Sequence, residues 1–201
     1  MKSTADIAWG FRFALLAAPL WACAPDLRVD HPFDGAVDDG PLVQVSVEAD
    51  GVRHATVDAT NKGSQVFMDL DEGREMKADE AFSTNDWDLS FKRMDISMNG
   101  GAGNPTGLVD AKVLTQTRFE DLVVAPQDGY QQDGADRVFN SVEGGWYVYD
   151  LGVHKLVVRE GLVYVVRTSN GVPMKVQMQG YYSDNGTPAM IQFRYSLLGV
   201  P

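Results

Sequence analysis

Ala189-Met190-Ile191-Gln192-Phe193-Arg194-Tyr195-Ser196-Leu197-Leu198 sets Ile191, Phe193, Tyr195 and Leu197 on one parity and Gln192, Arg194 and Ser196 on the other. Side chains of a β-strand point alternately to opposite faces, so a period of two describes a strand with one face on a core and the other in water. Upstream, Asp184-Asn185-Gly186 is a turn, and a further strand runs back from Tyr182 to a second turn at Ser169-Asn170-Gly171. Before that, Leu156-Val157-Val158-Arg159, Glu160-Gly161 and Leu162-Val163-Tyr164-Val165-Val166-Arg167 read as a hairpin. The C-terminal third is therefore expected to be a meander in sequence order.

The same period recurs toward the N-terminus. Val43, Val45 and Val47 alternate with Gln44, Ser46 and Glu48, a turn follows at Gly51, and Val66 to Leu70 supplies another strand. Trp87 to Met98 reads as one long strand with Trp87, Leu89, Phe91 and Arg93 on one side. One helical patch is expected, around Thr117 to Val123, ahead of Pro126. The fold class is all-β, a single domain of antiparallel strands over residues 42–201 with very little helix.

The first 41 residues read differently. Lys2 and Arg12 flank a weakly polar start, and Phe13 to Ala22 is a ten-residue apolar run, too short to span a bilayer. Leu20-Trp21-Ala22-Cys23 resembles the lipobox of bacterial lipoproteins, with Trp21 bulkier than is usual there. Cys23 is the sole cysteine and has no internal disulfide partner, so it is expected to be the lipid attachment site. An ordinary secretory signal cleaved nearby stays open as the alternative. Residues 1–22 are then the signal peptide, and 23–41, rich in Asp, Pro and Gly, a tether. Acyl chains on Cys23 would hold the protein to the bacterial outer membrane, on its periplasmic or cell-surface face.

Net charge is −11, and removing Lys2, Arg12 and Asp6 with the signal leaves 15 basic and 27 acidic residues. That balance argues against nucleic acid as a partner and otherwise speaks to solubility. Motifs for chemistry are scarce, and no enzymatic centre is expected. His31, His54 and His154 lack the close spacing of a zinc site, and no Gly-x-Ser-x-Gly elbow is present. Asn99 to Gly107 is glycine-rich but lacks the Gly-Lys-Ser/Thr ending of a phosphate loop, so a flexible connection is expected. Asp69 and Asp71 alternate as in a calcium loop without the Glu at its twelfth position, which suggests solvated turn acids and no metal site. Asp86 and Asp88 share a strand face but lack the opposed geometry of a carboxylate pair across a cleft.

Asp86-Trp87-Asp88-Leu89-Ser90-Phe91-Lys92-Arg93-Met94-Asp95-Ile96-Ser97-Met98-Asn99-Gly100-Gly101 resembles the hallmark of the HmuY family of haem-binding outer-membrane lipoproteins. Ala125-Pro126, Asp128-Gly129-Tyr130, Gly144-Gly145-Trp146, Tyr164-Val165-Val166-Arg167 and Asn170-Gly171 then follow in the family's order. The resemblance covers roughly residues 42 to 198. It implies strands curled around a cleft, haem as the cargo, and delivery to an outer-membrane receptor for iron acquisition.

Haem is a flat apolar disc with two propionates, so its binder needs an apolar slot, axial donors and polar groups at the mouth. The family's His-ligated pattern places one ligand between the Asp-Gly-Tyr and Gly-Gly-Trp landmarks. Here that interval, Gln131 to Glu143, contains neither His nor Met. The second ligand follows Gly-Gly-Trp, where an ungapped match reaches Leu151 and a small shift reaches His154, which becomes the candidate ligand. Tyr149 and Asp150 are nearer but ligate haem less often. Met94, Met98, Met174 and Met178 fit core or surface packing better than ligation. Asp88, Arg93 and Asp95, if buried, are expected to pair with one another or to cap backbone groups. A tethered β module that binds no haem and makes protein contacts or serves adhesion remains the alternative.

Overall fold

The computed structural model of the protein describes residues 40–200. The expected signal over 1–22, Cys23, His31 and nearly all of the expected tether lie outside the described residues.

The strands are β1 (Val43–Val47), β2 (Arg53–Asp58), β3 (Val66–Asp69), β4 (Arg74–Met76), β5 (Leu89–Lys92), β6 (Asp95–Met98), β7 (Asp110–Thr115), β8 (Tyr147–Asp150), β9 (Lys155–Val158), β10 (Leu162–Arg167), β11 (Pro173–Tyr182) and β12 (Pro188–Leu197). One short helix, α1 (Ala78–Thr84), and a single 3-10 turn at Val138–Asn140 are the helical elements among the described residues. Pairing between these strands is antiparallel throughout.

The strand quoted at the outset is β12, and Ile191, Phe193 and Tyr195 are fully buried while Leu197 emerges at its end. β10, β11 and β12 form the expected meander. The N-terminal hairpin β1–β2 then adds to the open side of β12, with Ala55 opposite Phe193 and Val57 opposite Ile191, and β7 closes the other side. The result is a six-stranded sheet in the order β1-β2-β12-β11-β10-β7. A second sheet, β4-β3-β5-β6, lies across its inner face, where Phe91 of β5 stacks on Phe193 of β12 with ring centroids 5.7 Å apart. The shared core takes Val66, Met68, Leu89, Phe91, Ile96 and Met98 from the smaller sheet, and burying side chains of this size is the main stabilising term.

Each sheet also has its back covered. α1 lies over the outer face of the smaller sheet, closing Phe67, Met76, Ala81 and Trp87 into a separate apolar cluster. The segment around Ala125 covers Val165 and Leu198 on the outer face of the larger one.

Four local expectations are corrected. Residues 87–98 are a hairpin, not one strand: Lys92 pairs with Asp95, and Arg93 turns the chain at φ +57. The apolar parity shifts across that turn, from Leu89 and Phe91 to Ile96 and Met98, as a two-residue turn requires if both strands are to face one core. Second, β9 does not pair with β10. It pairs with β8 in a small two-stranded sheet, while β10 sits between β7 and β11. Third, residues 117–123 form no helix. The Phe119 ring lies between Lys175 Nζ and the Arg194 guanidinium, each 4.3 Å from its centroid, and Lys175 Nζ donates to the Phe119 and Leu122 carbonyls. The helix forms instead at Ala78–Thr84, stopped by Asn85 in the left-handed region at φ +65.

Fourth, residues 99–107 are not a loose connection. Asn99 is fully buried, and its Nδ2 donates to the Asn85 and Trp87 carbonyls at 2.7 Å each. A Cβ on Gly107 would fall 2.1 Å from the Asn99 carbonyl oxygen. The glycines are there because backbone packs against backbone.

Candidate functional site

Gly145-Trp146 roots the β8–β9 hairpin. The Trp146 indole is buried, its Nε1 donates to the Met94 carbonyl at 3.1 Å, and its ring meets Tyr147 edge-on at 5.0 Å. Arg159, just after β9, donates to the carbonyls of Glu143 and Val142. From that root the hairpin extends with Tyr147 opposite Val158 and Tyr149 opposite Leu156. Directly opposed residues share a face, so Tyr147, Tyr149, Leu156 and Val158 form one side. Its root packs against the core, where the Tyr182 hydroxyl accepts from the Leu156 N–H at 3.1 Å. Val148 and Val157 face the other way and are exposed.

The tip, Leu151-Gly152-Val153-His154, is turned by Asp150, whose Oδ1 accepts from the Gly152 and Val153 N–H groups at 2.7 and 3.3 Å. His154 takes a left-handed conformation at φ +52 and lies 3.3 Å, Nδ1 to hydroxyl, from Tyr149. Leu151 is 76% exposed, Val153 60% and Tyr149 53%. A hairpin presenting this much apolar surface around an accessible imidazole has the character of a binding element. Positive charge stands nearby: Lys155 Nζ lies 5.6 Å from the Tyr182 ring centroid, and the Arg93 guanidinium stands close enough to Tyr181 to oppose the rise in that phenol's pKa caused by burial.

Two concave regions flank the hairpin root. One, of about 550 Å³, lies between β9 and β11 and is lined by Leu156 to Gly161 and Gln177 to Tyr182. The other, about 540 Å³, lies where Val113 and Thr115 of β7 meet Gln131, Asp136 and residues 141–144. Both are within the usual range for small-molecule sites. The segment 131–143 forms no hairpin. It is anchored by buried Asp133, which accepts from the Met98 and Val138 N–H groups at 2.7 and 2.9 Å.

The other residues singled out in the sequence fall elsewhere. His54, on β2, is paired to Glu48 at 2.8 Å from Nε2 and, among the described residues, belongs to no cluster of metal-ligating groups. Met98, Met174 and Met178 are in the core, as their packing reading expected, whereas Met94 is in the β5–β6 turn and 37% exposed. Arg93 and Asp95 do not pair with Asp88: Arg93 donates to the Thr60 carbonyl at 3.0 Å, and Asp95 is exposed.

Asp88 does cap backbone groups. It is fully buried, with Oδ2 accepting from the Leu70 N–H at 2.7 Å and Oδ1 from the Ser169 N–H at 2.6 Å, so it ties the smaller sheet to the β10–β11 turn. Burial pushes its pKa up to about 7, against the lowering effect of those two bonds. Asp69 is 4% exposed rather than solvated, and burial raises its pKa as well. Asp71 lies in the turn between β3 and β4, and its carboxylate accepts from Asn170 Nδ2 at 2.8 Å. Sequence reading missed this grouping because Asp88 is distant in the chain from the other two.

No curated protein matches the chain. Solved structures share its fold, among them the following. A protein of Bacteroides vulgatus described as HmuY-like and heme-binding aligns at TM-score 0.52 and 16% identity, covering 72% of this chain and 91% of its own. The apo HmuY analog of Tannerella forsythia aligns at 0.54 and 17%, covering 80% and 99%. Apo PinO from Porphyromonas gingivitis aligns at 0.56 and 17%, covering 73% and 97%. The model of the HmuY protein family matches residues 61–195, more than half of the chain, so this protein belongs to the HmuY family.

Proposed function

We propose that this protein is an exported, lipid-anchored binder of haem or a related tetrapyrrole that hands its cargo to an outer-membrane receptor. The observation that carries the reading is the β8–β9 hairpin, an exposed apolar and aromatic arm bearing His154 on a family scaffold that includes a protein described as HmuY-like and heme-binding. Tyr149, Leu151 and Val153 offer surface for the porphyrin, the His154 imidazole offers an axial donor, and Lys155 and Arg93 are cations of the kind that pair with propionates. Tyr149 holds the imidazole through its hydroxyl. Anchoring would be through acyl chains on Cys23 after removal of residues 1–22, with 23–41 as the tether.

Titrating the purified protein with haemin tests the reading. A shifted, saturable Soret band at 1:1 stoichiometry is expected, and His154→Ala abolishes it. No such band in either iron oxidation state rejects haem binding. The second reading, a tethered β module with a protein-contact or adhesion role, is favoured by one observation: residues 131–143 carry no His or Met and form no second ligand arm. For the anchor, Cys23→Ser is expected to release the protein from the membrane fraction, and unchanged retention rejects it.

A further inference from the structure

We propose that Asp69, Asp71 and Asp88, together with the Tyr195 hydroxyl, form a binding site for a hard divalent cation, with Ca²⁺ the best chemical fit. The site is separate from the β8–β9 hairpin and does not depend on haem binding.

One carboxylate oxygen from each of the three aspartates lies within 4.8 Å of the others, and Asp69 and Asp88 are buried. Among the described residues none of the three makes an ion pair. Arg53 is the basic side chain beside them, but its Nη1 donates to the backbone carbonyls of Leu70 and Asp71 at 2.9 and 2.8 Å. Both oxygens of Asp88 accept N–H bonds, the arrangement of an ionised carboxylate. A bound cation supplies the positive charge that three neighbouring carboxylates call for.

Tyr195 gives the independent indication. It is fully buried on β12, and its hydroxyl has no hydrogen-bond partner among the described residues. Buried hydroxyls ordinarily find a partner. This one lies 2.9 Å from where a Cβ on Gly73 would stand, under the turn that carries Asp71, and within electrostatic range of both Asp69 and Asp88. Arg53 sits over the phenol ring, 5.7 Å from its centroid, with its Nη1 protons directed at the turn carbonyls. The hydroxyl is thus buried without a hydrogen-bond partner among the described residues, beside the turn that carries Asp71 and next to the Arg53 guanidinium.

The donors are all oxygen, which selects Ca²⁺, Mg²⁺ or Mn²⁺ over Zn²⁺ or copper, and carboxylates with variable denticity suit the six to eight ligands of Ca²⁺. The Arg53 charge weakens the site, so a dissociation constant of about 10⁻⁴ to 10⁻³ M is expected, as in extracellular calcium modules. Through Asp88 to Ser169 and Asp71 to Asn170, the cation would lock the β3–β4 turn to the β10–β11 turn.

The full chain, stripped with EDTA, is titrated with Tb³⁺ under excitation of its tyrosines and tryptophans, and its melting is followed with and without Ca²⁺. Saturable Tb³⁺ emission displaced by Ca²⁺ is expected, with a rise in Tm of a few degrees at about 5 mM Ca²⁺. Asp71→Asn, which keeps an acceptor for Asn170, should weaken binding at least about tenfold with the cation-free fold unchanged by circular dichroism. Tyr195→Phe should weaken it several-fold. Absence of saturable emission, a Tm identical in EDTA and Ca²⁺, or an Asp71→Asn variant that binds as tightly as wild type each overturns the proposal. None of these results alters the haemin titration.

Discussion

The segment from Asp86 to Gly107 and the β8–β9 hairpin are both short runs of strand and turn, yet they stand at opposite extremes of constraint. In the first, Trp87, Asp88, Leu89, Phe91 and Asn99 are all buried, and the glycines are pressed against backbone. In the second, Leu151, Val153 and Tyr149 project into solvent from a two-stranded arm rooted on Trp146. The family's sequence landmarks therefore mark what holds the sandwich together. The arm beyond that root is held by few buried contacts at its tip.

The contrast can be broken by substitution. Gly107→Ala forces a Cβ to 2.1 Å from the Asn99 carbonyl and should cost about 3–5 kcal/mol or prevent folding, read by urea melting. Phe91→Ala removes a fully buried ring stacked on Phe193 and should cost about 3–5 kcal/mol in the same assay. Val153→Ser at the hairpin tip should stay within about 0.5 kcal/mol of wild type. A loss there comparable to Phe91→Ala would mean that the arm is part of the core.

A pH titration sharpens the comparison. Asp88 has its folded pKa raised from the ordinary 3.8 to about 7, so between those values the folded state holds a proton that the unfolded state has released. Its contribution to stability is complete below pH 4 and is lost as pH rises toward 7, with a slope of at most about 1.4 kcal/mol per pH unit. Asp69 and Asp133 are raised too and act in the same sense. In EDTA, urea midpoints should fall across that window, and Asp88→Asn should flatten the fall. A midpoint that rises from pH 4 to 7 in wild type but not in the variant contradicts this environment for Asp88. Excess Ca²⁺ should also flatten the wild-type profile, because a cation binds the ionised carboxylates and so stabilises the fold most at the upper end of that window. His154→Ala comes last in stability, within about 0.5 kcal/mol, because the side chain is exposed. Its effect belongs to the haemin titration.

Much of the fold was legible because alternation is a local property. β1 and β12 follow from period-two runs, β3 and β10 from short continuous apolar runs, and the absence of long helices among the described residues agrees with both patterns. Even the β5–β6 turn leaves a trace, in the parity shift between Phe91 and Ile96. The candidate site was legible only in part. His154 stands out as one of three histidines, but its contact with Tyr149 depends on the β8–β9 register, and no local signal assigns β9 to β8 rather than to β10.

By itself the amino-acid order determined that this is an antiparallel β protein, where several of its turns fall and which family's landmarks it carries, because side-chain parity and turn chemistry act over a few residues. Only the tertiary structure decided which edges pair, that the Asn99–Gly107 run is packed rather than loose, and that Asp69, Asp71, Asp88 and Tyr195 converge. Those outcomes depend on contacts between groups up to 126 positions apart in the chain, from Asp69 to Tyr195, and the strand pattern of one segment carries no record of what will lie across from it.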